Sequence, residues 1–326
     1  MANYLGVENF PVTENQTLTA IETIAQQEIR GVKSVNRLED TIFYYGEEEM
    51  RTGTVIEQAL IAKAEKQVFN KNKCFCDGNP VDPKLIIRYF QNWGTSQWET
   101  ALREMDIRAI IAGNGSATEN SVAADIVDSL TQGEGAEDFT LTRGLLLNSN
   151  ATNYATTLGG TPANMDGVLY ALRDMYNQIR YDTSGYTIMD GASATPEEDI
   201  RIAVSDKLLA LLDITKLANI FNLEKAKIMG KLVVVPVGDL DRNQWFKIIV
   251  YDRKRFNRAT RNYDYMQSPK QPGQYVKAYL TVERMYFESP LFKAAQLDCT
   301  TAANAEFARI ISAPAETAKT AEAKRI

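Results

Sequence analysis

No histidine occurs among the 326 residues. The commonest general base, the commonest metal ligand and the usual partner of a serine or cysteine nucleophile are therefore missing together, which removes most hydrolase mechanisms. Cysteine is scarce as well. Cys74, Cys76 and Cys299 make an odd number that cannot close a disulfide framework, and the chain fits reducing conditions. The "CFC" at 74–76 supplies two thiolates of a four-ligand zinc site, with neither a histidine nor a second cysteine pair to complete it. No metal and no cofactor is expected. Long apolar runs are wanting too: "LVVVPV" at 232–237 is broken by Pro236 and falls short of the roughly 18 residues a membrane span needs. The first residues, "MANYLGVENFPVTENQ", have neither the basic n-region nor the apolar core of a secretory signal. Positive charge is not in excess, and a net charge of −6 argues against a protein that wraps nucleic acid over its whole surface. The glycine runs "GNGS" (113–116) and "GEGAED" (133–138) lack the ending of a phosphate loop and the spacing of a dinucleotide fingerprint, and they read as hinges between helices. Glu197 and Glu198 face no carboxylate that sequence can place, so a glycosidase pair is unsupported.

What is present is pattern. Residues 17–32 put Leu18, Ile21, Ala25, Glu28 and Val32 on one helical face, with Thr19 and Glu22 spaced as a capping box. The stripe is narrow, which predicts an arm helix whose Leu18, Ile21 and Val32 are buried only against a neighbour. Between Arg51 and Leu102 two segments flank the turn-rich "CDGNPVDP" (76–83), a long excursion out and back. On its return "PKLIIRYFQNWGTSQWETAL" reads as extended, whereas "EQALIAKAEKQ" (57–67) is helical by propensity. Helical patterning resumes in "MDIRAIIAG" and "TENSVAADIVDSLTQ". A further helix has Thr161 as a candidate cap, Pro162 at its first position and one broad face of Met165, Val168, Leu169, Leu172, Met175, Tyr176 and Ile179. "EEDIRIAVSDKLLALLDI" (197–214) is an alternating strand feeding a short helix, and "KLVVVPV" and "FKIIVYDR" read as buried strands. Strands interleaved with helices make an α+β chain. The closing "SAPAETAKTAEAKRI" has little to bury and reads as a mobile tail.

Two features ask for an explanation. In "YVKAYLTVERMYFESPLFKAAQLD" (275–298), Val276, Ala278, Leu280 and Val282 alternate with Lys277, Thr281 and Glu283, and the run from Tyr275 to Phe287 would reach about 43 Å at about 3.3 Å per residue, beyond an ordinary strand. In "YDRKRFNRATRNY" (251–263), Arg253, Lys254, Arg255, Arg258 and Arg261 gather among aromatics. That composition suits either a single-stranded nucleic-acid groove or a charged interface between subunits, with Arg253, Arg255 and Arg258 paired to carboxylates of a neighbour.

The order "NQWFKIIVYDRKRFNRATRNYD" followed by "YVKAYLTVERMYFESPLFKAA" resembles the C-terminal part of the major capsid proteins of tailed bacteriophages, which share the Hong Kong 97-like fold. "PEEDIRIAVSDKLLALLDITKLANIFN" looks like the strand and helix of that family's axial domain, and "VDPKLIIRYFQNWGTSQWETALREMDIRAII" like the return of its extended loop into the spine helix. The resemblance implies an N-terminal arm (1–40), an extended loop (41–100), a peripheral domain with its spine helix (101–160), an axial domain (161–255), the long strands of the peripheral domain (256–298) and a tail (299–326). It also implies a structural protein and no enzyme: many copies, in hexamers and pentamers, close an icosahedral shell around double-stranded DNA, assembled in a bacterial cytoplasm and carried in the virion. The partners implied are the chain itself and a portal, and any scaffold would be a separate protein, since no long charged helical extension stands at the N-terminus; no membrane is involved. Lys63, Lys66, Lys71 and Lys73 lie in the implied loop and are candidate interface residues, although the lysine and asparagine that cross-link one branch of the family cannot be assigned. An encapsulin-like compartment holding an enzyme cargo is the alternative on the same fold.

Overall fold

A computed structural model describes residues 10–31, 55–61, 85–102, 107, 108, 110, 118–181, 194–212, 232–242, 246–268 and 276–309. The first element, α1 (Phe10–Gly31), starts well upstream of the expected cap. Thr19 is interior and returns its hydroxyl to the Asn15 carbonyl at 2.9 Å, so Thr19 and Glu22 form no capping box. Strands β1 (Ile56–Ile61) and β2 (Leu85–Phe90) pair antiparallel, Ile56 opposite Phe90 and Ile61 opposite Leu85. The helical propensity of 57–61 is overridden because the pair anchors one face on the body of the subunit. Ile56, Phe90 and Trp93 cluster with Ala259, Met285 and Phe287, and the Phe90 and Phe287 rings stack at 4.1 Å. Residues 62–67 and the "CDGNPVDP" turn lie outside the described residues.

After β3 (Gly94–Leu102) comes α2 (Glu119–Leu147), 29 residues long. Thr118 and Ser121 start it reciprocally: the Thr118 hydroxyl accepts from the Ser121 amide at 3.2 Å, and the Ser121 hydroxyl accepts from the Thr118 amide at 2.9 Å. The expected hinge at "GEGAED" is absent, for the helix runs through Gly133 and Gly135. Each glycine costs a helix about 1 kcal/mol against alanine, and at Gly133 the reason is a close approach: a Cβ there would stand 3.1 Å from Trp98 Cδ1. The "GNGS" stretch is outside the described residues.

A short β4 (Thr152–Asn153) leads into α3 (Tyr154–Leu158) and α4 (Met165–Arg180). Asn164, not Thr161, caps α4, accepting from the Gly167 amide at 2.8 Å. The anticipated face is in place, with Val168, Leu169, Leu172, Met175, Tyr176 and Ile179 buried and Met165 packed at its edge. Then follow β5 (Ile200–Ser205), α5 (Asp206–Leu211) capped by Ser205, β6 (Leu232–Val235) and β7 (Lys247–Asp252). The long pair β8 (Phe256–Gln267) and β9 (Val276–Glu288) precedes β10 (Ala294–Asp298). Residues 300–309 form a last helix, α6. Cys299, Ala302 and Ala303 are fully buried in the core of α4, β5 and β7, so a tail cannot begin at 299.

Among the described residues three sheets result: the hairpin β1-β2, the five-stranded β4-β10-β7-β5-β6, and the three-stranded β3-β9-β8. The five-stranded sheet holds one core with α3, α4, α5 and α6. On the three-stranded sheet lies α2, and α1 lies on α2, closing a second core that includes Ile21, Ala25, Val122, Val127, Leu130, Leu280 and Val282. The C-terminal end of α2 reaches the other body, where Leu146 and Leu147 join Val233, Val235, Ile249 and Tyr251. One helix thus ties the second core to the face of the five-stranded sheet opposite the first core.

The 13 residues of β9 are covered on different faces at its two ends. Val276, Ala278, Leu280 and Val282 lie under the helices, while Met285 and Phe287, of opposite parity, lie under the hairpin. In β8 the register shifts between Thr260 and Asn262, leaving Arg261 unpaired in the ladder. One extra residue reverses parity. Arg258 and Thr260 before the shift, and Tyr263 and Tyr265 after it, consequently oppose the even-numbered residues of β9.

Candidate functional site

Where α2 crosses the long strands, the buried face carries charge. Glu134 and Asp138, four residues apart, share one side of the helix. Opposite them stand Arg258 on β8 and Arg284 and Tyr286 on β9, which continue the buried parity of Val282. Arg258 Nη1 donates to Asp138 Oδ2 at 2.7 Å, and the Tyr286 hydroxyl donates to Asp138 Oδ1. Arg284 pairs with Glu134 and lies 3.6 Å from Asp138 Oδ1. Two guanidinium groups balance two carboxylates. Arg258 is 1 % exposed, and Glu134 and Asp138 are as deeply buried. Burial, reinforced by the charge of Arg284, pushes the Arg258 guanidinium down to about 10. Burial opposes the charge of Arg284 too, but Glu134, Tyr286 and Asp138 outweigh it and raise its pKa. Burial and the Asp138 carboxylate push the Tyr286 phenol up. Both arginines stay charged at neutral pH, so the crossing is an ionic clamp rather than a proton-transfer site.

A second clamp lies beside the first. Glu288, at the end of β9, accepts from Arg255 Nε at 2.7 Å, from the Ser149 hydroxyl at 2.7 Å and from the Asn150 amide at 2.9 Å, and Arg255 Nη1 reaches the Phe292 carbonyl at 2.9 Å. A third ties α2 to the loop after β6: Arg143 takes both oxygens of Asp239, at 2.6 and 2.9 Å, and the Pro236 carbonyl at 3.2 Å. Its hydrogen bonds hold the Asp239 carboxyl below the usual carboxylate range.

The outer face of the hairpin contrasts with this closed interior. By register Glu57 and Tyr89, Ala59 and Ile87, and Ile61 and Leu85 share one side. Tyr89 is 62 % exposed and Ile61 64 %, with Leu85 and Ile87 also exposed. A two-stranded ribbon is marginal alone, and an apolar ribbon uncovered on one side marks a contact surface.

A family model for Phi29-like phage major capsid proteins matches residues 2–297. The chain belongs to that family. As a phage major capsid protein it is a structural component of the virion that assembles with copies of itself, and it is no enzyme. Solved structures agree on the fold. A chain in the capsid structure of Staphylococcus phage Andhra is 11 % identical, with 82 % of this chain and 85 % of that chain covered and a TM-score of 0.61. A chain from native bacteriophage P68 is 12 % identical, with 82 % and 86 % covered and a TM-score of 0.54. These likenesses accord with the Hong Kong 97-like architecture. No curated protein matches. No described helix is long and apolar enough to cross a membrane.

Within this capsid protein Leu18, Ile21, Arg255 and Arg258 are placed differently from expectation. Leu18 and Ile21 are buried against the chain's own α2, because α1 turns its apolar stripe onto Val122, Ile126 and Leu130. Val32, Lys63, Lys66, Lys71, Lys73, Cys74 and Cys76 lie outside the described residues. Arg255 and Arg258 are paired inside the subunit, as described. Arg261 donates to Glu283 at 2.7 Å and lies over the Trp93 ring at 5.1 Å, and Lys254 lies 6.0 Å from the Phe292 ring. Arg253 is half-buried. Arg255 and Arg258, committed to carboxylates inside the subunit, are withdrawn from any groove for single-stranded nucleic acid. Glu134, Asp138, Arg284 and Tyr286 went unread in the sequence, although two signals were there: a Glu and an Asp four apart, and charged or hydroxylated residues on the apolar parity of β9.

Proposed function

We propose that this capsid protein closes an icosahedral shell of hexamers and pentamers around the double-stranded DNA of a tailed bacteriophage, with a portal and a scaffolding protein supplied by separate chains. In this reading α2 is the spine helix of a peripheral domain completed by β3, β8 and β9, the five-stranded sheet with α3 to α6 is the axial domain, so that residues 152–158 and 294–298 pass from the peripheral to the axial domain, and β1-β2 is the base of an extended loop. The observation that carries it is the hairpin: one face is anchored on Met285 and Phe287, and the other, Ile61, Leu85, Ile87 and Tyr89, is left bare. A neighbouring subunit covers that face. Closed symmetry repeats such a contact at every subunit, so modest interfaces sum to a stable shell. The net charge of −6 fits a container into which DNA is driven rather than a surface that attracts phosphate. Purified particles should hold nuclease-resistant DNA. Particles that hold a co-purifying enzyme instead would establish a compartment and overturn the reading. Changing Ile87 and Tyr89 together to serine should abolish particles and leave the subunit folded.

A further inference from the structure

A cavity of about 310 Å³ lies between α2, β3 and β9, lined among others by Gly94, Ser96, Trp98, Glu137, Leu141 and Arg284. Its volume is at the lower end of the roughly 300–1,000 Å³ of ligand sites, enough for one long side chain and too little for a folded segment. Space, charge and rim each bear on what fills it. A Cβ at Gly94 would meet only the Arg284 carbonyl oxygen, at 3.7 Å, so packing leaves room for a side chain that the sequence does not supply. Glu137 is the carboxylate left over when the two arginines of the ionic clamp have matched Glu134 and Asp138; its hydrogen bond comes from a neutral group, the Ser96 hydroxyl at 3.0 Å. One turn further along α2, Leu141 is 43 % exposed, and Trp98 forms part of the wall. An aliphatic stem with a cationic head fits these three features: the stem lies on Leu141 and the indole, and the charge meets Glu137.

We propose that this cavity is an assembly socket that receives a lysine or arginine side chain from an adjacent copy of the chain in the shell. The proposal rests on the shell reading, and a second copy is the occupant because self-assembly is what the family does. Charge and volume can be tested separately. Glu137→Gln keeps an acceptor for Ser96 and removes the charge; it should raise the protein concentration needed for assembly about two- to fivefold, the range of a partly exposed ion pair. Glu137→Lys should prevent assembly. Gly94→Val puts a strand-compatible side chain into the empty space and should prevent assembly while the free subunit melts no lower than wild type. Ser96→Ala, which leaves charge and volume alone, should assemble as wild type does. A reconstruction of wild-type particles should show a basic side chain of the adjacent subunit within about 4 Å of the Glu137 carboxylate. Normal assembly of both Glu137→Lys and Gly94→Val, or a reconstruction with the cavity empty or filled by another molecule, would overturn the socket and leave the shell reading intact. Wild-type chains that form no particles under any condition would overturn both.

Discussion

Asp138→Asn strikes the point where the long helix is locked to the long strands. The substitution preserves size and removes the charge that faces Arg258 at 2.7 Å and Arg284 at 3.6 Å. Arg258 is 1 % exposed, so its guanidinium has no route to water without opening the crossing. Removing one partner of a buried pair costs about 3–5 kcal/mol, a large part of the 5–15 kcal/mol that holds a typical domain folded. At about 2–4 °C per kcal/mol, typical of chains of 150–250 residues, the unassembled subunit should melt about 6–20 °C lower. Circular dichroism of dilute subunits measures this, with urea titration as a check. The reasoning also dictates a rescue. Asp138→Leu combined with Arg258→Met takes out one charge of each sign, leaves Glu134 with Arg284, and should recover part of the loss, since apolar replacement of a buried pair is often neutral while the Tyr286 hydroxyl loses its acceptor. An Asp138→Asn subunit whose stability stays within the ±0.5 kcal/mol of an ordinary surface change, or a double variant weaker than the single one, would refute the clamp.

Ile21→Ala should cost about 2–5 kcal/mol in chemical denaturation, because Ile21 is wholly buried between α1 and α2; a negligible loss would mean that α1 docks elsewhere in the free subunit. Gly144→Ala should stabilise by about 0.5–1 kcal/mol, since Gly144 is helical and a Cβ there meets nothing within 4 Å, whereas Gly133→Leu should destabilise by driving into Trp98. For Asp239 the folded-state pKa is depressed below the ordinary value of 3.8 by the Arg143 hydrogen bonds. The stability it adds is therefore complete above that value and lost as pH falls through the folded one. The difference between wild type and Asp239→Asn should hold steady at neutral pH and vanish in acid; a difference that persists or grows in acid would contradict the pairing.

Elements whose periodicity matches their burial were legible in the sequence. The faces of β9 and α4 and the β5-to-α5 unit follow from alternation and helical spacing, since in each the apolar residues meet a core on one side. Composition misled where tertiary contact overrode it. The "GEGAED" run looks like a hinge because glycine is poor in helices, but Gly133 makes room for Trp98, a residue far away in sequence. Residues 57–61 favour helix locally and form a strand because Ile56 has Phe90 opposite and the β8-β9 surface beneath. The basic cluster read as a surface because nothing local reveals that Asp138 and Glu288 reach it, 120 and 33 residues from their arginines. The bulge at Arg261 hides the alternation of β8 by reversing it midway. Partners distant along the chain leave no mark in a window of ten or twenty residues.

Electron microscopy of the chain at rising concentration, alone and with any scaffolding protein it uses, tests the central claim most directly. Closed shells of uniform size, built of repeating subunits in which the α2 and β8-β9 body carries a hairpin lying on its neighbour, are the expected result. Isolated subunits at every concentration, or particles in which Ile61, Leu85, Ile87 and Tyr89 remain open to solvent, would contradict it.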